Sequence, residues 1–174
     1  MISNIVFATD GSEHAVQAQK TAIDLALKYD AKLMVVHILT HDHPSSEMQR
    51  MVDVEHLTGP DKAYSGNYSD ISMTVGRMLG SRNSSDKEAR VIVALGEKIV
   101  KTVTKDAKVA GVKEVDSEIR PGDYANGILE VANRIDADLI VMGRRGLSTL
   151  KGFVTGSVSH KVSQRADCSV LTVK

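Results

Sequence analysis

Four small residues near the C-terminus have the types and spacing of an anion-binding site. Gly143, Gly146, Gly156 and Ser157 form the pattern G-x2-G-x9-G-S. Glycine has no Cβ, so Gly143 and Gly146 would allow the backbone to approach a ligand closely. Gly156 and Ser157 are placed to open a helix, whose first amides and dipole favour a negative charge. Three glycines at this spacing, followed by a helix start, favour an anion site over a plain turn-rich loop.

The charge distribution points to the same part of the chain. Lysine plus arginine and aspartate plus glutamate both number 22, and the formal net charge of zero argues against a general nucleic-acid or membrane-surface role. The stretch 144–174, however, contains a single acid, Asp167. Its basic residues are Arg144, Arg145, Lys151, Lys161, Arg165 and Lys174. We therefore expect an anionic ligand in the C-terminal third.

Other polar residues allow more than one interpretation. Asp10 follows the first apolar run, where its carboxylate could bond ribose hydroxyls, help hold a metal, or simply bond its own backbone in a turn. The turn role would be favoured for Asp10 alone, but the glycine pattern favours the ligand role. The run His41-Asp42-His43 lacks further ligands at helical spacing, which favours solvated loop residues over a metal site. His37 lies in an apolar run and is expected to be a core or rim histidine.

Motifs for efficient phosphoryl transfer are missing from the sequence. It contains no G-x4-G-K-[ST] run, so it is not a P-loop NTPase. No Ser-His-Asp or Cys-His arrangement can be argued from spacing, and no residue stands out as a base or charge clamp. Cys168 is the single cysteine, which excludes an intrachain disulfide.

The composition indicates one α/β domain. A chain of 174 residues with 42% hydrophobic and 25% charged residues fits a single globular domain. Aromatic residues make up only 3%, so the core must be aliphatic, as in a parallel sheet buried on both faces. The N-terminus lacks signal-peptide features, and no apolar run approaches the length of a membrane span. We expect a soluble cytoplasmic protein.

Apolar runs alternate with segments of helical spacing along most of the chain. Strands are predicted over 2–8, 33–38, 113–119, 138–142 and 169–173, and helices over 12–29, 85–111, 123–135 and 157–166. Ser12 and Asp123 are expected to cap the first and third helices, and 121–123 to form a turn. Five strands and four helices in this order predict a doubly wound, mostly parallel sheet with helices on both faces. Ligands of such folds bind at the carboxyl ends of the strands, where the strand order reverses. The pattern breaks down over 39–84, where we expect a mobile insertion with one or two short helices.

The sequence resembles the universal stress protein family, specifically its ATP-binding branch, whose hallmark is the same glycine pattern. Residues 4–12 look like the family's opening strand and turn, and 36–38 and 138–145 look like its second and fourth strands. The resemblance covers nearly the whole chain and implies an adenine nucleotide alpha hydrolase-like fold with the first and fourth strands side by side. It departs from the family in the long insertion and in Ser169, which stands where proline is frequent.

The resemblance also implies an ATP site. Its residues would be Ala8, Thr9, Asp10, Ile38, Met142, Gly143, Arg145, Gly146, Gly156, Ser157, Val158 and Ser159. The first three would line the ribose and adenine side, and Ile38 would wall the adenine. Met142 and Gly143 would meet the base and sugar, Arg145 would add positive charge, and the last five residues would hold the phosphates.

Two classes of function follow, with a weaker third. The first is a nucleotide-dependent regulatory module in the stress response, acting on an unknown protein partner. The second is a slow ATPase or phosphotransferase in which Asp10, Mg²⁺ or Mn²⁺ and the basic loop act on ATP. The third is a dimeric scaffold that ignores nucleotide, which the glycine pattern opposes. The missing catalytic base favours the first.

Assembly and the insertion give two further expectations. The strand predicted over 169–173 should lie at a sheet edge, and the resemblance implies a homodimer through antiparallel pairing of these strands. The insertion over 39–84 leaves the second strand at the edge where the nucleotide should sit. It is either a lid or partner-docking arm whose order depends on ATP, or a permanently disordered segment.

Overall fold

The computed structural model describes residues 1–39, 86–146 and 156–174, and for 86–91 the backbone only. The strands are β1 Asn4–Ala8, β2 Lys32–Leu39, β3 Val115–Pro121, β4 Leu139–Gly143 and β5 Ser169–Val173. The helices are α1 Glu13–Tyr29, α2 Asp86–Ala110, α3 Tyr124–Arg134 and α4 Ser157–Arg165. The lid and partner-arm hypotheses for the insertion fall outside these ranges. None of the helices described is long and apolar enough to cross a membrane.

The five strands form one parallel sheet in the order β3-β2-β1-β4-β5. Along the chain, β2 and β3 are added on one side of β1, and β4 and β5 are then added on its other side. Ala8 of β1 therefore pairs with both Val36 of β2 and Met142 of β4. This arrangement confirms the doubly wound fold and the β1–β4 pairing, and it places the switch point between these two strands.

The two faces of the sheet support separate apolar cores. Side chains alternate along β1, so Ile5 and Phe7 face α1 and α2, whereas Val6 and Ala8 face α3 and α4. Ile5, Val6 and Phe7 are fully buried in these apolar clusters, and Ala8 is 6% exposed. Burial on both faces explains why the strands read as unbroken apolar runs.

Side-chain caps begin two of the helices, as predicted. Ser12 Oγ accepts the amide of Ala15 at 3.3 Å at the start of α1. Asp123 Oδ1 accepts the amide of Asn126 at 2.9 Å at the start of α3. Both bonds satisfy amides that the first helical turn leaves without a backbone acceptor.

The edge strand β3 begins and ends two residues later than predicted. Pro121, predicted to be part of a turn, is the last residue of the strand and is registered with Leu39. A proline without an N–H is tolerated at the end of an edge strand. Lys113 lies before the strand, where its Nζ pairs with Asp30 at 2.9 Å. Leu39 itself belongs to β2 and is buried, so the insertion does not begin there.

The bounds of β4 also move by one residue. Asp138 precedes the strand, and its Oδ2 accepts the amides of Ser3 at 2.6 Å and Asn4 at 3.0 Å. These bonds hold the pKa of the Asp138 carboxyl below its usual value and fasten the start of β1 to β4. Gly143, predicted to follow the strand, is its last residue.

Candidate functional site

The loop between β1 and α1 leaves the sheet at the switch point and is fixed by short-range bonds. Thr9 continues the strand by donating its amide to Val36 O at 2.9 Å. Its Oγ1 accepts the amide of Gly11 at 3.2 Å, and Asp10 Oδ1 accepts the amide of Ser12 at 3.0 Å. Gly11 has a φ of 78°, a conformation that favours glycine. The turn-aspartate interpretation thus describes one oxygen of Asp10, while the other oxygen faces elsewhere.

That second oxygen, Asp10 Oδ2, lies against Gly146. A Cβ on Gly146 would overlap Oδ2 and would lie 3.5 Å from Cγ of the same carboxylate. The two segments that the sequence assigned to one site, the β1–α1 loop and the glycine pattern, are therefore in direct contact. Glycine at position 146 is needed for this contact because any side chain would displace the carboxylate.

Gly143 packs against protein backbone. A Cβ there would lie 3.1 Å from both Ala15 N and His14 C, in the first turn of α1, and 3.0 Å from Arg145 O. The absence of a side chain thus allows α1 to lie directly on the end of β4. Gly143, which the sequence predicts to meet a ligand, is thus also required by its contacts with α1 and Arg145.

The peptide groups of Arg144 and Gly156 join the two ends of the glycine pattern. Gly156 donates its amide to Arg144 O at 2.9 Å, and a Cβ on Gly156 would lie 3.1 Å from the same oxygen. Ser159 Oγ lies 2.8 Å from Arg144 O, to which it donates, and 3.0 Å from Gly156 O. Arg144 in turn donates its amide to Val173 O at 2.7 Å. The backbone of Arg144 therefore links β4, α4 and β5, a role that its sequence did not reveal.

Three amide groups at the N-terminal end of α4 have no acceptor within the helix. Its N-cap is Gly156, which has no side chain to accept a helix amide. The first bond of the helical ladder runs from His160 N to Gly156 O at 3.0 Å. The amides of Ser157, Val158 and Ser159 precede that bond, so they have no acceptor within the helix. Ser159 is buried and its hydroxyl is directed to carbonyls, whereas Ser157 is exposed. The backbone, more than the Ser159 hydroxyl, is thus the donor set at this end.

Positive charge lies beside these amides. Arg144 is half-buried and Arg145 is exposed, and both lie between Gly143 and Gly146. Within the described residues, Arg144 Nε is buried and has no hydrogen-bond partner. Together with the positive end of the α4 dipole, these groups favour an anion on the glycine side of the site. Asp10 supplies the opposite charge on the other side.

The predicted adenine-side apolar residues lie under the site in one cluster. Ala8, Ile38 and Met142 all belong to the core between the sheet and α3 and α4, and they are only 6%, 3% and 6% exposed. Ile38 packs on Gly127 of α3, where a Cβ would come within 2.7 Å of Ile38 Cδ1. The structure therefore brings the three residues together but presents little of their surface.

His37 is buried, in agreement with its prediction as a core or rim residue, and it has a specific partner. Its Nδ1 lies 2.8 Å from Thr9 O. Because a carbonyl oxygen can only accept, Nδ1 carries the proton. Burial lowers the pKa of His37, although the bond to Thr9 and the charge of Asp10 oppose this shift. The ring is therefore neutral at pH 7.

The side chains described, those of residues 1–39, 92–146 and 156–174, include no group of three or more His, Cys, Asp or Glu that could hold a metal ion. Lys151 and the run His41-Asp42-His43 lie outside these ranges.

The fold and the glycine-lined switch point define a class of doubly wound α/β domain, and comparison with known sequences defines the family. The model of the universal stress protein family matches residues 1–174. The chain therefore belongs to the universal stress protein family. It is 33% identical to the stress response protein NhaX of Bacillus subtilis over 170 residues, covering 98% of this chain and 96% of the relative. It is 30% identical to the universal stress protein MJ0531 of Methanocaldococcus jannaschii, covering 100% of this chain and 83% of the relative.

Solved structures share the fold. Universal stress protein UspA from Lactobacillus plantarum aligns with a TM-score of 0.69 at 20% identity, over 99% of this chain and 98% of its own. A universal stress protein in complex with cAMP gives 0.61 at 22% identity, over 99% and 97%. The Archaeoglobus fulgidus protein in complex with dAMP gives 0.56 at 19% identity, over 100% of both chains. At these identities the similarity establishes the fold alone.

Proposed function

We propose that this chain is a single universal-stress-protein-like domain that binds ATP at the switch point and acts as a nucleotide-dependent regulatory module in the stress response. One observation carries the proposal. The first amides of α4, which have no acceptor within the helix, lie at the same edge of the sheet as the contact between Gly146 and Asp10 and the two arginines Arg144 and Arg145. Structural neighbours in complex with cAMP and dAMP support an adenine nucleotide as the ligand.

The phosphates would bind at the N-terminal end of α4. Amides there offer directed donors, and the helix dipole adds about half a positive charge. Gly156 permits this approach because it has no side chain, and Arg145 adds positive charge at the surface. We assign the triphosphate to Gly146, Gly156 and the amides of residues 157–159.

The ribose and base would lie on the Asp10 side. Asp10 Oδ1 accepts the amide of Ser12, and Oδ2, which lies against Gly146, is a carboxylate oxygen of the type that accepts from a ribose hydroxyl. Thr9 and the cluster of Ala8, Ile38 and Met142 border that side. Because those apolar side chains are buried, we expect the base to contact their edges and the half-buried Gly143.

Calorimetry with the purified full chain tests the proposal. ATP, AMP, cAMP and GTP are titrated separately at the same ionic strength. Binding of ATP more tightly than GTP, with a gain from AMP to ATP, is expected from an adenine site with phosphate contacts. No heat and no chemical-shift change with any adenine nucleotide would contradict the proposed function.

A matched pair of variants locates the phosphates. Gly156→Val puts a branched side chain against the Arg144 carbonyl and the amides of α4, whereas Gly111→Asn changes a glycine of positive φ at the far end of α2 to the residue type that best tolerates that conformation. ATP affinity should fall at least tenfold in the first variant and stay unchanged in the second. Equal affinities in the two variants would place the phosphates elsewhere.

The alternative, slow metal-dependent hydrolysis or phosphoryl transfer, depends on Asp10 acting with Mg²⁺ or Mn²⁺ held by the bound phosphates. Release of inorganic phosphate, measured with each metal and with a chelator, decides between the two functions. Phosphate release that requires metal and is lost in Asp10→Asn would establish the enzyme. Binding without release supports the regulatory module.

A further inference from the structure

His37 is the buried polar residue nearest to the proposed ligand loop that the proposed function leaves without a role. It lies on the face of β2 that packs against α2, one residue beyond Val36, the last residue of β2 that is registered with β1. At that point the strand ladder between β1 and β2 has ended. The loop that carries Asp10 begins there.

Thr9 is fastened to β2 at both of its backbone polar groups. Its amide donates to Val36 O at 2.9 Å, and its carbonyl accepts from His37 Nδ1 at 2.8 Å. The imidazole thus takes the place of the backbone amide that would continue a ladder. Since Asp10 is the next residue, the direction in which it leaves the sheet depends on this bond.

The α2 helix holds the imidazole in place. A Cβ on Gly96 would lie 2.9 Å from His37 Cδ2 and 3.4 Å from Nε2, so the helix backbone rests on the ring. One turn further along α2, Ile99 Cδ1 lies 3.0 Å from the position of a Cβ on Gly11. The α2 helix therefore packs against both His37 and Gly11 of the loop.

We propose that His37 is a positioning residue for the nucleotide site, whose Nδ1–H bond to Thr9, backed by Gly96 of α2, sets the Asp10 loop against Gly146. The inference rests on the proposed function for its effect on ATP, but the loop geometry can be measured without ligand. His37 does not contact the ligand in this proposal, so loss of its bond to Thr9 would change ATP affinity only by moving Asp10.

Two substitutions distinguish the hydrogen bond from packing. In His37→Asn the side-chain amide nitrogen occupies the place of Nδ1 and can donate to Thr9, although the residue leaves a larger cavity. In His37→Gln the nitrogen occupies the place of Nε2, and the longer side chain fills more of the space. If packing matters most, loop protection and ATP affinity should fall more in the Asn variant. If the hydrogen bond matters most, they should fall more in the Gln variant.

Amide hydrogen exchange is measured first on the ligand-free full chain, at Gly11 and Ser12, whose amides bond within the loop. We expect wild-type protection in His37→Asn and roughly tenfold faster exchange in His37→Gln, as for the loss of one buried hydrogen bond. Calorimetry should then show ATP affinity unchanged in the Asn variant and reduced about tenfold in the Gln variant.

The outcomes separate the two claims. Wild-type exchange in His37→Gln, or equal damage in both variants, would overturn the positioning role. If the wild-type protein binds no adenine nucleotide, the proposed function fails, and the exchange pattern still decides whether His37 positions the loop. Changed exchange with unchanged ATP affinity in the Gln variant would refute the link between this bond and the site.

Discussion

The carboxylate of Asp10 occupies the space that a side chain would need at Gly146. The two residues are 136 positions apart in the sequence, yet the β1–β4 pairing brings the loops that follow these strands to the same point. A charged acceptor and a bare backbone thus meet where the strand order reverses. The effects of substitutions at the two positions on ATP affinity should therefore not be additive.

Gly146→Ala should weaken ATP binding while leaving the fold largely intact. The new Cβ would overlap the end of a flexible side chain, so Asp10 can rotate away at a stability cost of about 1 kcal/mol or less. We expect about a tenfold loss of ATP affinity by calorimetry, because the displaced carboxylate no longer faces the ribose. In an Asp10→Ala background the same substitution should have little further effect, and additive losses would contradict the coupling.

Gly156→Ala should reduce stability more than Gly146→Ala does. Its Cβ would lie 3.1 Å from a backbone oxygen that also anchors Ser159, so α4 or the Arg144 peptide must shift. A loss of about 1–3 kcal/mol in the free energy of unfolding is expected from urea titration. Ser157→Ala, at the exposed neighbouring position, is the control and should stay within about 0.5 kcal/mol of wild type. Equal stabilities of the two variants would show that Gly156 is not tightly packed.

Folding stability should fall as the solution becomes mildly acidic, in part because of His37. Burial lowers the pKa of His37 in the folded protein, so the unfolded chain takes up the proton first as the pH falls below 6.5. The contribution of neutral His37 is complete above that pH and is lost progressively between 6.5 and the lower folded pKa. Charged or titratable groups near the ring include Asp10, which partly opposes the shift.

Urea unfolding at pH 8 and pH 5.5 checks this pH dependence. His37→Asn cannot titrate, so its stability should change less than that of wild type between the two conditions. The lowered pKa of Asp138 does not interfere, because that carboxylate loses its stabilising effect only below its ordinary value of 3.8. Identical pH dependence in wild type and variant would rule out a lowered pKa at His37.

The proposed homodimer should depend on the exposed side chains of β5. This strand is at the edge of the sheet, and Leu171 is 36% exposed there. We expect a dimeric mass by light scattering at micromolar concentration and a monomeric mass for Leu171→Lys, since an edge lysine opposes pairing. Val16→Lys, on an exposed position of α1, should remain dimeric. A monomeric wild-type protein would contradict the proposed assembly.

Local sequence patterns predicted the strands and the helix starts, because interactions between residues close in the sequence determine these elements. The caps at Ser12 and Asp123 and the apolar runs of the strands depend on neighbours within a few residues. The role of His37 could not be predicted in this way, since its partner is 28 residues distant and depends on the register of β1 with β2. The packing of Gly143 on α1 likewise depends on where a helix rests on the sheet.

The site is predictable in part for the same reason. The glycine spacing predicts a loop that leads into a helix. The family resemblance predicts that this loop lies near Asp10. The pattern does not distinguish a glycine that faces a ligand from one that faces its own chain. Gly143 and Gly156 show that internal contacts alone can require the residue.

The described bonds that Arg144 makes to Gly156, Ser159 and Val173 all use its peptide group. Its side chain is therefore separable from the scaffold that its backbone holds together. A substitution at position 144 would thus change the charge beside the proposed ligand site while leaving these three backbone bonds in place.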